Sequence, residues 1–169
     1  RVEGENAYEL KKRMEKIMME KVGIFRTGEK LQEAVDELSD LLKRSRNIAL
    51  KNRVPQSNPD LVNALRVPRM LKLALCVAKG ALDRTESRGA HAREDYTERN
   101  DRDWLKRTLA TWPNPDDIGP TLTYEDLAVM TMEMPPGSRG YGKAETIPHP
   151  DTDKREKKIE EILASMPDA

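Results

Sequence analysis

The sequence predicts a mainly α-helical fold: three helices in the first half, then a small antiparallel β element, an extended arm and a final helix. Three observations carry that expectation. Apolar residues recur every three or four positions through most of the first half. Aromatic residues make up only 4% of the chain against 36% charged residues, a balance suited to solvated helices rather than to a β sandwich. Cap and breaker residues (Asn6, Gly23, Thr27, Pro55, Asn58 and Pro59) stand where those periodic stretches should start and stop.

In the first helix Leu10, Met14, Ile17 and Met18 form one stripe. Asn6 followed by Glu9 resembles an N-cap with its return partner, and Lys21 then Gly23 mark the end. The second helix begins near Thr27-Gly28, carries Leu31, Val35, Leu38 and Leu42 on one face, and fades by Arg46. The other faces of both helices are charged and are expected to meet solvent. Asn52–Pro59 breaks the chain, after which Asn58 or Asp60 caps a third helix with Pro59 in its first turn. Pro68 should kink that helix or restart it. From Met70 to Leu82 it is apolar on nearly every face, the pattern of a central helix, and Gly80 is expected to admit a close neighbour.

Trp104–Trp112 and Thr121–Val129 have strand character, and the turn-rich Pro113–Pro120 joins them as an antiparallel pair. From Thr131 to Pro150, four prolines and three glycines predict an extended arm, and Asp151–Ala164 a closing helix with Ile159, Ile162 and Leu163 on one side. The expected divisions are therefore residues 1–103, 104–130 and 131–169.

Composition narrows the function. Thirty Lys+Arg offset thirty Asp+Glu, so no overall field draws in nucleic acid or an anionic membrane. No apolar run approaches the roughly 18 residues of a membrane span, so direct membrane insertion is not expected. Cys76 is the one cysteine, which excludes an internal disulfide and predicts a reduced, buried thiol. Eight methionines against one phenylalanine suggest a core of aliphatic and Met side chains. A chain opening at Arg1 with helical sequence almost at once is expected to be a piece of something longer.

Chemistry concentrates in Glu86–Trp104, which packs four arginines and six carboxylates with His91 into nineteen residues. Such charges are costly to bury unless they find partners. Ser87, His91 and Asp95 stand four apart, but a hydrolytic triad draws on separate elements and Gly89 should break any helix here. His91 has two readings, a proton donor tuned by its charged neighbours or a structural hydrogen-bonding group, and the second is preferred. Arg88, Arg93, Arg99 and Arg102 have the geometry to bind a dicarboxylate or phosphate. With Glu86, Glu94, Asp95, Glu98, Asp101 and Asp103 interleaved, mutual pairing is the better expectation. His91, His149 and Cys76 share no metal-ligand spacing. Gly137–Gly142 is glycine-rich but lacks the dinucleotide-binding pattern.

These residues carry a family resemblance. Thr85-Glu-Ser-Arg-Gly-Ala-His-Ala-Arg-Glu-Asp-Tyr-Thr-Glu-Arg-Asn-Asp101, followed by Asp103-Trp-Leu-Lys-Arg-Thr-Leu109, resembles the C-terminal signature of the succinate dehydrogenase/fumarate reductase flavoprotein subunit. The likeness extends to Val22-Gly-Ile-Phe-Arg26, Leu42–Asn47, Leu71–Ala81, Trp112-Pro-Asn-Pro115 and Gly137–Gly142, the last two nearest the menaquinol:fumarate reductase branch. Thr97 stands where the family form has Pro and Asn100 where it has Asp, which takes from Arg99 a neighbouring acid.

The resemblance implies a three-helix bundle, spectrin-repeat-like, followed by the small β element, packed on a flavin domain. It implies a parent oxidoreductase in which an FAD-binding domain and a capping domain enclose the dicarboxylate, a catalytic arginine delivers the proton and the flavin exchanges hydride. The implied partners are those two domains, an iron–sulfur subunit and a membrane cytochrome b or quinone-binding subunit, with the parent complex peripheral on the cytoplasmic side of the membrane. None of the catalytic, cofactor or metal motifs falls within these residues, so the chain alone is expected to be soluble, free of cofactor and inactive. Arg88, His91, Arg93, Asp95 and Arg99 are expected to lie at an interdomain interface. L-Aspartate oxidase shares the architecture and is the nearest alternative; a free-standing helical interaction module is the other.

Overall fold

The computed structural model describes residues 3–52, 54, 56–129, 132 and 145–166. Most of the expected arm, with the Gly137–Gly142 stretch, lies outside the described residues. The described chain is mainly helical: α1 (Ala7–Lys21), α2 (Gly28–Ser45), α3 (Pro59–Asp83), the single turn α4 (Asp101–Trp104) and α5 (Thr152–Ser165). Six short strands accompany them: β1 (Phe25–Arg26), β2 (Ala92–Arg93), β3 (Arg99–Asn100), β4 (Lys106–Thr111), β5 (Thr121–Asp126) and β6 (Thr146–Ile147).

The helices begin where the cap residues place them. Asn6 Oδ1 accepts from the Tyr8 amide at 2.9 Å, Thr27 Oγ1 from the Lys30 amide at 3.3 Å, and Asn58 Oδ1 from the Leu61 amide at 3.1 Å. Each satisfies one of the amides a helix start leaves without an intrahelical partner, a contribution of about 1 kcal/mol. α1, α2 and α3 pack pairwise around one core, in which Leu10, Leu31, Leu38, Val67 and Leu71 are fully buried. Burying a leucine side chain of this kind stabilises by roughly 1.5–3 kcal/mol.

Three expectations need correction. α3 does not restart at Pro68 but runs on through it, with Val67 and Leu71 on either side both buried in the core. The Met70–Leu82 segment is not buried all round: Leu73 and Val77 face solvent. Cys76 is only half-buried and its sulfur accepts from Trp112 Nε1 at 3.3 Å. Methionine does share the core with the aliphatic residues: Met14 is buried in it, and Met18 and Met70 pack against it partly buried.

β4 and β5 form the expected antiparallel pair, Lys106 opposite Asp126 through Thr111 opposite Thr121. The pair lies along α3 and is tied to it at both ends. At one end Lys72 stands over the Trp112 ring at 4.6 Å and donates to the Pro115 carbonyl at 2.7 Å. At the other, Trp104 meets Tyr124 edge to face at 5.6 Å, and the Tyr124 hydroxyl donates to Asp83 Oδ2 at 3.0 Å. Two further pairs are parallel and only two residues long: β1 with β2, and β3 with β6. They draw the polar stretch after α3 against the start of α2 and against the strand that leads into α5.

Candidate functional site

The Glu86–Trp104 stretch is a folded loop without a long helix. Gly89 has a left-handed backbone (φ +59) and lets the chain reverse between Arg88 and His91, whose backbones exchange hydrogen bonds of 2.8 and 3.1 Å. Ser87, His91 and Asp95 consequently do not assemble into a relay. The Ser87 hydroxyl donates to the Tyr96 carbonyl at 2.8 Å and accepts from the Arg93 amide at 2.9 Å, while His91 and Asp95 bond elsewhere.

Two clamps organise the loop. In the first, Arg93 Nη1 donates to the carbonyls of Ala81, Leu82 and Arg84 at 3.1, 2.9 and 3.1 Å, closing the C-terminal end of α3. Its Nε and Nη2 form a fork with the two Asp95 oxygens, each at 2.8 Å, and Asp95 Oδ2 also accepts from the Gly28 amide at 2.9 Å at the start of α2. One ion pair thus places a cation at a helix C-terminus and an anion at a helix N-terminus, the favourable sign at both ends. The fit is close: a Cβ on Gly28 would stand 3.1 Å from Asp95 Oδ2 and 3.2 Å from Arg93 Nη2.

In the second, two carboxylates with almost no exposure, Glu86 and Asp101, are shared among arginines. Glu86 accepts from Arg84 Nη1 at 2.6 Å, from Arg88 Nε and Nη2 at 2.8 and 3.0 Å, and from the Asn100 amide at 2.8 Å. Asp101 accepts from Arg99 Nε and Nη2 at 2.8 and 2.9 Å and from Arg88 Nη2 at 2.7 Å. Burial alone would push the Asp101 carboxyl up; the hydrogen bonds from Arg99 and Arg88 outweigh it and hold the group below the usual carboxylate range. Asn100, where the family form has Asp, takes the N-cap of α4 and accepts from the Asp103 amide at 3.0 Å, a role open to either residue. Arg99 pairs with Asp101 and needs no acid at position 100.

His91 is wedged between three arginines. Arg26 Nη1 lies 2.7 Å from His91 Nδ1, and because a guanidinium only donates, Nδ1 is the acceptor and Nε2–H faces the Arg84 carbonyl at 3.2 Å. Burial lowers the imidazole pKa; the Arg84 carbonyl opposes that, and the charges of Arg26, Arg93 and Arg84 add to it. The ring is therefore neutral and structural, poorly suited to supply a proton.

All five residues singled out in the sequence lie in this loop: Arg93 and Asp95 in the first clamp, Arg88 and Arg99 in the second, His91 beside both. Glu86 and Asp101, two of the interleaved acids expected to pair with the arginines, complete it together with Arg84 and Arg26, which the sequence does not mark. The pairs stand two residues apart in the sequence, Arg84/Glu86/Arg88, Arg93/Asp95 and Arg99/Asp101; the loop's turns bring each pair together.

At the turn from β1 into α2 the Gly28 amide is taken by Asp95, and the two parallel pairs are each two residues long. Among the described residues no group of three or more His, Cys, Asp or Glu side chains is placed to hold a metal, and no helix is long and apolar enough to cross a membrane.

A family model described as fumarate reductase flavoprotein C-term matches residues 11–141. The chain belongs to that family. It is 54% identical over 163 residues to the fumarate reductase flavoprotein subunit of Helicobacter pylori strain J99, covering 96% of the chain and 22% of the relative. It is 36% identical over 139 residues to the succinate dehydrogenase flavoprotein subunit of Bacillus subtilis, covering 82% of the chain and 23% of the relative. A solved quinol-fumarate reductase with menaquinol molecules superposes with a TM-score of 0.70 at 35% identity, over 78% of this chain and 23% of that one. The domain thus spans less than a quarter of the length of the relatives it matches.

Proposed function

We propose that this chain is the non-catalytic domain of a flavoprotein subunit that interconverts fumarate and succinate, and that it packs on the FAD-binding part of the same polypeptide. The observation that carries this is a ridge on α3. Leu61, Leu65, Leu73 and Val77 recur at four-residue steps, interrupted only by Arg69, and are 43%, 59%, 67% and 44% exposed. A helix whose opposite face is already buried gains nothing from such a ridge unless a further surface covers it. The near-continuous apolar character of α3 is then accounted for: one side serves the core and the other serves the seam.

Within this reading, residues 1–103 act as a three-helix bundle with its polar loop, 104–130 as the β element laid on it, and 131–169 as the arm and last helix. Arg93 and Arg99, buried in the loop, set its shape, while Arg88, His91 and Asp95 keep part of their surface open toward the FAD-binding domain. FAD, the dicarboxylate and the proton-delivering arginine belong to the other domains. An iron–sulfur subunit and a quinone-binding membrane subunit carry the electrons in a complex peripheral to the membrane. The names of the relatives, flavoprotein subunits of fumarate reductase and of succinate dehydrogenase, support this assignment.

The test is Leu73→Asp in the full-length subunit. Loss of retained flavin and of fumarate turnover is expected, while the same change in the 169-residue chain leaves its helical circular dichroism intact. Unchanged flavin content and turnover would rule out this face of α3 as the seam, and flavin bound to the isolated chain would overturn the assignment of FAD to another domain.

A further inference from the structure

A cleft of about 670 Å³ opens between Arg102 of α4, the β6 segment and the first turns of α5. Three features of it point the same way. Arg155 lines it and is only 4% exposed, yet its side chain has no hydrogen-bond or ion-pair partner among the described residues. Among those residues no fully buried side-chain nitrogen or oxygen lacks a partner, so the guanidinium must open onto the cleft. A buried arginine without a counterion is costly, and the cost is removed when an anion enters.

The second feature is the start of α5. Asp151 occupies the N-cap position but makes no capping hydrogen bond; its Oδ1 accepts from Lys154 Nζ at 2.9 Å instead. The amides of Asp153 and Lys154 in the first turn are therefore left without a side-chain acceptor, at the positive end of a 14-residue helix. Third, His149 also lines the cleft, and its Nδ1 accepts from the Asp151 amide at 3.1 Å, which leaves Nε2–H as a donor. Asp153 and Glu156 border the cleft too, and neither pairs with Arg155. Pro148, Pro150 and Ile159 supply an apolar wall.

We propose that this cleft binds the oxyanion group, carboxylate or phosphate, of a small organic molecule. Arg155 and the first-turn amides of α5 grip the oxyanion, Arg102 and His149 flank it, and the apolar remainder lies on Pro148, Pro150 and Ile159. This inference does not rest on the docking role of α3.

Sodium butyrate and sodium phosphate, each titrated against chloride at equal ionic strength, distinguish the two oxyanions by amide NMR of the chain. The expected result is saturable shifting of the Asp153 and Lys154 amides by at least one probe, with butyrate favoured where the apolar wall contributes. Arg155→Met should weaken binding about tenfold or more, and Arg102→Ala by less. Should Arg155→Met lose the α5 signals, Arg155→Lys serves in its place, keeping the charge without the fork; unaltered affinity in that variant counts against the site. Failure of both probes to shift these amides, or an unchanged affinity in Arg155→Met, overturns the proposal.

Discussion

Asp95 and Gly28 meet across 67 positions of sequence, the Asp95 carboxylate accepting from the Gly28 amide at 2.9 Å while it holds Arg93 in a two-bonded fork. The contact joins the beginning of α2 to the end of α3 through one ion pair. Hydrogen bonds from Arg93 hold the Asp95 carboxyl far below the usual carboxylate range, burial opposing them and the Gly28 amide adding to them. Asp95→Asn is expected to lower stability in urea by about 1–2 kcal/mol, a modest figure because the carboxylate is partly solvated. Since the native pKa is depressed, the advantage of the wild type is complete above the ordinary value of 3.8 and disappears as pH falls through the native one. A variant as stable as the wild type at neutral pH would refute the clamp.

Asp101 predicts a larger effect. Its carboxylate is 1% exposed and serves Arg88 and Arg99 together. Asp101→Asn takes from Arg99 its carboxylate partner and leaves Arg88 with Glu86 alone, and should cost about 3–5 kcal/mol. Asp103→Asn, two positions on, touches a carboxylate whose bond to Asn100 Nδ2 is exposed and should cost less than about 1 kcal/mol. Denaturant titrations of both variants check the contrast, and equal losses would contradict the distinction between buried and exposed acids.

His91 sets a pH dependence of its own. Its native pKa lies below the ordinary 6.5, so the unfolded chain takes up the proton first. The stability that the neutral ring contributes is present above 6.5 and is lost as pH falls through the native value. The thermal midpoint should therefore drop between neutral pH and about pH 5, and more steeply in the wild type than in His91→Gln. Parallel curves for the two proteins would show that the ring does not titrate in this way.

Gly80 makes the opposite prediction. It sits inside α3, and a Cβ there would stand 3.9 Å from Thr108 Cγ2, an ordinary contact. Gly80→Ala should stabilise the chain by about 1 kcal/mol, read as a raised denaturation midpoint. A lower midpoint would mean that α3 and β4 need a closer approach than this geometry indicates.

The long elements were legible because local rules write them. Asn6, Thr27 and Asn58 announce helix starts in the sequence and act as caps in the structure, and six of the eight expected stripe residues of α1 and α2 are buried, Met18 and Val35 being partly buried beside them. α3 was harder. Pro68 signals a break by its lost hydrogen bond, but packing at Val67 and Leu71 on either side overrides that signal. An all-round apolar pattern likewise reads as full burial, whereas the described chain covers only one side of the helix.

In the charged loop, residue chemistry and chain packing make separable contributions. Composition established that arginines and carboxylates would pair, since unpaired charges cannot be kept from water cheaply. Which ones pair is a matter of backbone path. The residues 84/86/88, 93/95 and 99/101 become partners because the loop bends at Glu86, turns at Gly89 and again between Arg93 and Tyr96, and enters α4 at Asp101. Gly28 and Arg26, more than sixty positions away from their partners, enter only when α2 and α3 are brought together. Sequence spacing fixes neighbours along a helix or strand; contacts between separate elements are settled by the packing of the core beneath them.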